Sequence, residues 1–550
     1  MAVKSMAEEK PSFRLAPSDT AQMAKLTDTH FDQAIKDNPK DGELYNSRGL
    51  MWHAKGELNK ALGDFEEAIH HNGRFARAYN NRGIVLAAQE RLDDAIASFN
   101  RAIELSPELG IAHANLGKAL YGNGEFRMAV AALDEAIRLE SGVDTYYFDR
   151  ASALREIGDL DKALSDFNDA IRINPNIGRY FNGRGRTWSL KSDHQMAIGD
   201  FNQSIRLAPN SYDYYCRGLT LAQLGKSAEA LTDLDRAIQL APDDFQSHLG
   251  RGEVLARLGK NPAALGAFNK AVELAPENPS VYRERANYFN GIRDFDQALA
   301  DYSTAIKLAP RDLESLDQRA QIWLIKGKLA MSASDYDEVF KNGPGSLASH
   351  NNRYIVALGL KDWPKALSEL DVILGLDPKF KHGNRERGYI LFLNGDHRKA
   401  IAAYSDLLEN APAEDRVITY GRRAHCWVAL GDFAKAVSDF EEAVRREPEN
   451  VYAIRDLAWF RATCADAKWR DGAAAATLAT KSCELSKWEN DSALAALAAA
   501  QAEAGQFEAA LRSLQKARQI APETDRALRE QMNTSFTDRR PYHESIAVQK

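Results

Sequence analysis

Proline falls on a fixed beat in this 550-residue chain. Pro175, Pro209, Pro242, Pro276, Pro310, Pro344, Pro378 and Pro412 follow one another at intervals of 34, 33, 34, 34, 34, 34 and 34 residues. Pro39, Pro107, Pro448 and Pro522 fit the same slot elsewhere, so 12 of the 18 prolines act as punctuation. The usual setting is AI-x-L-x-P, where proline ends a helix because it has no N–H with which to continue one. A period of this length predicts a stack of small like units and argues against one conventional core.

Within each unit the small residues are as regular. Gly49, Gly83, Gly117, Ala151, Gly185, Gly218, Gly252, Ala286, Ala320, Gly388 and Ala424 stand midway along a first amphipathic stretch. Twelve residues after most of them comes an alanine (Ala61, Ala95, Ala129, Ala163), and four further on an aromatic or leucine (Phe65, Phe99, Leu133, Phe167). Another small residue follows three later (Ala68, Ala102, Ala136, Ala170). Spacings of four and three share one helical face. Turns such as KGEL, NGEF, IGDL and LGKS separate the two stretches. Each unit therefore reads as a helix–turn–helix of about 34 residues that needs neighbours to bury its apolar face.

This pattern resembles the tetratricopeptide repeat family over residues 24–522, with about fourteen units. The thirteenth, LAWFRATCADAKWRDGAAAATLATKSCELS, has a longer turn and is similar to a variant near the end of some bacterial members. The resemblance implies an all-α, right-handed α-solenoid superhelix, with first helices lining a concave groove and second helices forming the convex wall. It also implies a flexible leader over 1–23 and a capping helix with its tail over 523–550.

An arginine precedes the small residue in eleven units: Arg48, Arg82, Arg150, Arg184, Arg217, Arg251, Arg285, Arg319, Arg353, Arg387 and Arg423. An acid recurs just before the aromatic of the second helix: Asp64, Asp166, Asp200, Asp233, Asp301, Asp335, Glu369 and Asp439. The three arginine units without it (Ser98, Ala267, Ala403) follow units that have it, and units with leucine in place of arginine (Leu116, Leu457, Leu497) lack the acid. This predicts a structural Arg–Asp ladder, to which the planar, always charged guanidinium is suited, rather than a basic phosphate-binding ladder.

Nothing in the sequence calls for catalysis. GLTLAQLGKS (218–227) fails as a phosphate loop, because Thr220 replaces the required glycine and no strand precedes it. There is no H-E-x-x-H and no G-x-S-x-G. His70 and His71 close a second helix, where imidazoles meet the last carbonyls more readily than a metal. Cys464 and Cys483 share a unit and are read as buried apolar residues, with a redox pair as the alternative. The four cysteines are scattered, which suggests a reducing compartment. Net charge is −7 and argues against a general nucleic-acid binder. No apolar run approaches a membrane span, and the first 25 residues carry no secretory h-region. The expectation is a non-enzyme of the cytoplasm with no cofactor and no metal.

The resemblance places function in the groove. Positions 2, 5, 9 and 12 of each first helix share a face, with position 6 at its edge. Between units two and six these hold Arg77, Asn80, Asn81, Asn115, Lys118, Tyr121, Phe148, Asp149, Arg155, Arg179, Asn182, Arg186, Tyr212 and Tyr215. Asparagine can bond an extended backbone without reading its sequence, and tyrosine and arginine are common interface anchors. Five cations against one carboxylate predict an acidic peptide or helical partner. Units two to six lack the Lys-x-x-x-Asn and Lys-x-x-x-Arg pairs by which chaperone adaptors of the family clamp a terminal carboxylate. The reading is a non-catalytic protein–protein interaction scaffold. Alternatives are a self-assembling scaffold, hence a homo-oligomer, and a substrate-presenting subunit of an enzyme complex.

Overall fold

A computed structural model describes residues 28–378, 380, 383–410, 413–520 and 526–544. The leader expected over 1–23 lies outside these, as do Pro412 and Pro522. Every regular element among the described residues is helical. The helices form two compact units that divide after Ile292.

The first unit opens with a helix at Asp28–Asp37 and continues as seven helical hairpins, from Gly42–Ala54 with Leu58–His71 to Phe245–Arg257 with Asn261–Leu274. It closes with a helix at Pro279–Gly291. The second unit opens with Phe295–Leu308 and has six hairpins, from Leu313–Ile325 with Leu329–Asn342 to Asp491–Glu503 with Phe507–Ile520. A last helix, Arg526–Thr537, buries Met532 and Phe536 against alanines of the final hairpin. The helices on either side of Ile292 are those the sequence assigns to the eighth hairpin.

Asparagine or aspartate caps open many helices, as when Asp41, Asp193, Asn210 and Asp244 accept main-chain N–H groups. Each first helix of the first unit's hairpins ends on a tight turn. In the first, Gly56 has φ +77°, its N–H donates to His53 O, and Glu57 N–H donates to Trp52 O. This left-handed cap suits glycine. Glu90 and Ser192 adopt it with φ of 64° and 63°, although both carry a Cβ.

The small residues serve close packing. A Cβ added to Gly49 would stand 2.7 Å from the Phe65 ring, and one on Gly83 would stand 2.6 Å from Phe99. The ring also reaches the next hairpin, where Phe167 would meet a Cβ on Gly183 at 2.5 Å. Phe65, Phe99 and Phe167 are wholly buried. Each such ring contributes roughly 1.5–3 kcal/mol over leaving it exposed.

The arginines form the expected ladder. Arg150 donates from Nε and Nη2 to both oxygens of Asp166 at 2.7 Å, and from Nη1 to Asp134 in the preceding hairpin at 2.6 Å. Arg48, Arg184, Arg217, Arg319 and Arg423 repeat the two-pronged bond to the acid sixteen residues on. Their third nitrogen reaches back to Asp32, Asn168, Asn202, Ser303 and Ser405. One expectation is corrected. Where the own acid is missing, arginine does not take the acid before the previous aromatic. Arg82 donates to Ser98 Oγ, Arg251 to Asp235 and Arg387 to Asp371. Asp64, Asp233 and Glu369 are already held by Arg48, Arg217 and Arg353. The guanidinium also sits over the ring three residues before it, as with Arg82 on Tyr79 and Arg217 on Tyr214.

Candidate functional site

The asparagines of the expected groove are buried and bonded to one another. Asn81 donates from Nδ2 to Asn46 Oδ1 at 3.0 Å, Asn80 to Asn81 Oδ1 at 3.2 Å, and Asn115 to Asn80 Oδ1 at 3.0 Å. All four are 5% exposed or less. This amide relay joins three successive first helices. Asn80, Asn81 and Asn115, expected to offer donors to a ligand, each place an amide N–H on a neighbouring asparagine, as buried amides do. Asn182 is likewise buried and donates to Asp213 Oδ1 at 2.6 Å. Asp213 also accepts from Ser204 Oγ and Asn210 Nδ2, and burial lifts its carboxyl above the usual range.

The cations divide. Lys118 is buried and paired with Asp149 at 3.2 Å. Arg155 is buried beside Glu156. Both of these expected groove cations lie against carboxylates of the chain itself. Arg77 and Arg179 are exposed, and Arg186 is half-buried. Arg179 lies over the rings of Phe148 and Tyr180, 5.4 and 5.5 Å from their centroids. Arg186 lies 5.6 Å over Tyr212, which stacks on Tyr215 at 6.4 Å and 17°. Phe148, Tyr212 and Tyr215 are half-buried, as is Tyr121, which packs edge-on against Phe126. A strip of rings and guanidinium groups therefore crosses the fourth to sixth hairpins.

A register rule missed by the sequence reading organises this face. With the small residue counted as position 8, position 9 of one first helix meets position 6 of the next. Lys118 meets Asp149, Arg422 lies 4.5 Å over the Tyr389 ring, and His425 stands 3.5 Å from Asp456. Glu253 and Glu284 occupy the same two positions with like charge. Burial, then Glu284, lift the Glu253 carboxyl to about 7. Spacings of 31 between such residues, or 33 from Tyr389 to Arg422, were the available signal.

Among the described residues no cluster of three or more histidine, cysteine or carboxylate groups is arranged to hold a metal ion. No described helix is long and apolar enough to cross a membrane. Cys464 and Cys483 are unoxidised and lie in different apolar clusters.

Stacked helical hairpins with small residues at the close approaches define a class of repeat scaffold. Tetratricopeptide repeat models match residues 76–109, 115–176, 148–212, 215–279, 355–415 and 418–450, more than half of the sequence. The chain belongs to the tetratricopeptide repeat family. It is 29% identical over 89 residues to the Hsp70-Hsp90 organizing protein of Triticum aestivum, covering 16% of this chain and 15% of that protein. It is 38% identical over 67 residues to the mitochondrial import receptor subunit TOM34 of Homo sapiens, covering 12% of this chain and 21% of that protein. The chain thus spans about a fifth or less of these curated relatives. Among solved structures, YrrB, a TPR protein with an unusual peptide-binding site, is 25% identical with a TM-score of 0.30, over 33% of this chain and 94% of that one. The structure of Naa15/Naa10 bound to HypK-THB is 14% identical with a TM-score of 0.30, over 93% and 94%.

Proposed function

We propose that this protein is a non-catalytic protein–protein interaction scaffold whose first-helix face holds an acidic peptide or helical segment of a partner. The observation that carries this reading is the strip of Arg179 on Phe148 and Arg186 on Tyr212 and Tyr215, with Arg77 exposed two hairpins earlier. The rings give these guanidinium groups flat faces to lie on, and arginine is suited to two-pronged bonds with a carboxylate. The names of the Hsp70-Hsp90 organizing protein and of the import receptor subunit TOM34 support the same class of role. The repeat array spans 24–522, with 1–23 as leader and 523–550 as cap and tail. Four buried thiols suit a cytoplasmic setting.

The test is fluorescence anisotropy with a labelled oligo-glutamate peptide. The unmodified chain binds it and the variant Arg77→Ala/Arg179→Ala/Arg186→Ala does not, with affinity falling as salt rises. Equal binding by both, or binding indifferent to salt, refutes the acidic-partner reading.

A further inference from the structure

After the last helix the chain turns back on itself. Arg539 is left-handed with φ 53°, and Arg540 N–H donates to Ser535 O. Residues 541–544 then run without helical structure along the first helices of the last two hairpins. Three consecutive residues make specific contacts there. Tyr542 packs on the Trp459 ring, with centroids 6.2 Å apart. His543 Nε2 lies 2.7 Å from Glu503 Oε2. Glu544 accepts from Trp459 Nε1 at 2.7 Å, and its own N–H donates to Thr463 O at 2.8 Å. Trp459 stands at position 9, where the register rule calls for a partner at position 6 of the next first helix. That residue is Ala496, which has no acceptor to offer. Glu544, 85 residues away in sequence, supplies it. Arg470 Nε bonds the other oxygen of Glu503 at 2.9 Å, which holds that carboxylate in place for His543.

We propose that Tyr542–Glu544 is an intramolecular ligand seated in the last two hairpins. The same site takes, from a partner, an extended peptide with an aromatic residue two positions before a carboxylate. Segment and partner compete, and the tether gives the segment a high effective concentration. This rests on the reading of the first-helix face as a peptide-binding surface, but it concerns hairpins other than those carrying Arg77, Arg179 and Arg186. Its failure and the failure of that reading are therefore measured separately.

The probe is a labelled peptide of residues 538–544, DRRPYHE, titrated into the full chain. The double variant Tyr542→Ala/Glu544→Ala binds it at least about tenfold more tightly than the unmodified chain, and adding Trp459→Phe, which removes the indole N–H donor and shrinks the ring on which Tyr542 packs, abolishes the gain. Equal binding to both chains, or no binding to a double variant whose circular dichroism and melting match the parent, overturns the proposal. Hydrogen exchange on the unmodified chain gives an independent reading. The Glu544 amide is protected if the segment is seated, and exchange at the rate of a free peptide overturns the proposal whatever the variants do.

Discussion

Removing Arg217 leaves the Asp233 carboxylate, whose side chain is 7% exposed, without either of its two guanidinium donors at 2.6 and 2.7 Å. Breaking a buried pair by deleting one partner costs about 3–5 kcal/mol. Arg217 is itself about a fifth exposed, so water partly replaces it and Arg217→Ala falls near the lower end, about 3 kcal/mol. Asp233→Ala is milder, about 1.5 kcal/mol. The arginine keeps Asn202 Oδ1 at 2.6 Å and the Tyr214 ring 5.5 Å away. The double variant strands no charge and costs about 2.5 kcal/mol, which leaves a coupling of about 2 kcal/mol. Arg217 with Asp200 is the control. Asp200 is held by Arg184, so that coupling stays within about 0.5 kcal/mol. A long repeat array does not unfold in one step, so the assay is native-state hydrogen exchange of amides in Ser211–Leu240. A coupling to Asp233 below about 0.5 kcal/mol, or one to Asp200 as large, refutes the ladder as described.

The crowded Glu253 carboxyl sets a pH dependence. Its ordinary value is 4.5 and its folded value about 7, so between these the folded chain keeps a proton that the unfolded chain has released. Stability falls as pH rises through that window and levels off above it. Glu253→Gln therefore stabilises Phe245–Arg257 at pH 8 and changes its stability little at pH 4.5, which local hydrogen exchange at the two pH values checks. Glu90→Gly relieves a left-handed residue that carries a Cβ and stabilises by about 0.5–1 kcal/mol in the same local exchange assay. Burial pushes the thiols of Cys216 and Cys483 to about 11 and that of Cys426 to about 12. Native protein at pH 8 is accordingly inert to Ellman's reagent, whereas protein unfolded in guanidinium titrates four thiols.

The hairpins and their spacing were legible because proline, glycine and alanine act within one unit, where the helical period suffices. Gly83 and Phe99 show this: sixteen residues apart, they meet as the small-residue rule requires. The face between units was harder to read. Single-helix geometry does not point to Asn46, the start of the amide relay, and puts Asn81 at the edge of a groove face, because it does not say what the next hairpin covers. The 35-residue interval from Asn46 to Asn81, repeated from Asn80 to Asn115, was the signal. Arg251 illustrates the same limit. Its unit follows the one carrying Asp233, but Asp233 already serves Arg217, and Asp235, one short step along the helix, lies within reach. Glu544 on Trp459 has no periodic signature at all, since it joins the array to a segment outside the repeat.

The central claim is that the ring-held cations of the fourth to sixth hairpins, with Arg77, recognise a partner protein. The most direct test is affinity capture from the source cell's lysate with the unmodified chain beside Arg77→Ala/Arg179→Ala/Arg186→Ala, the two matched by circular dichroism. The account predicts a partner retained by the first, released by salt and lost from the second. The same set of partners on both chains would contradict it.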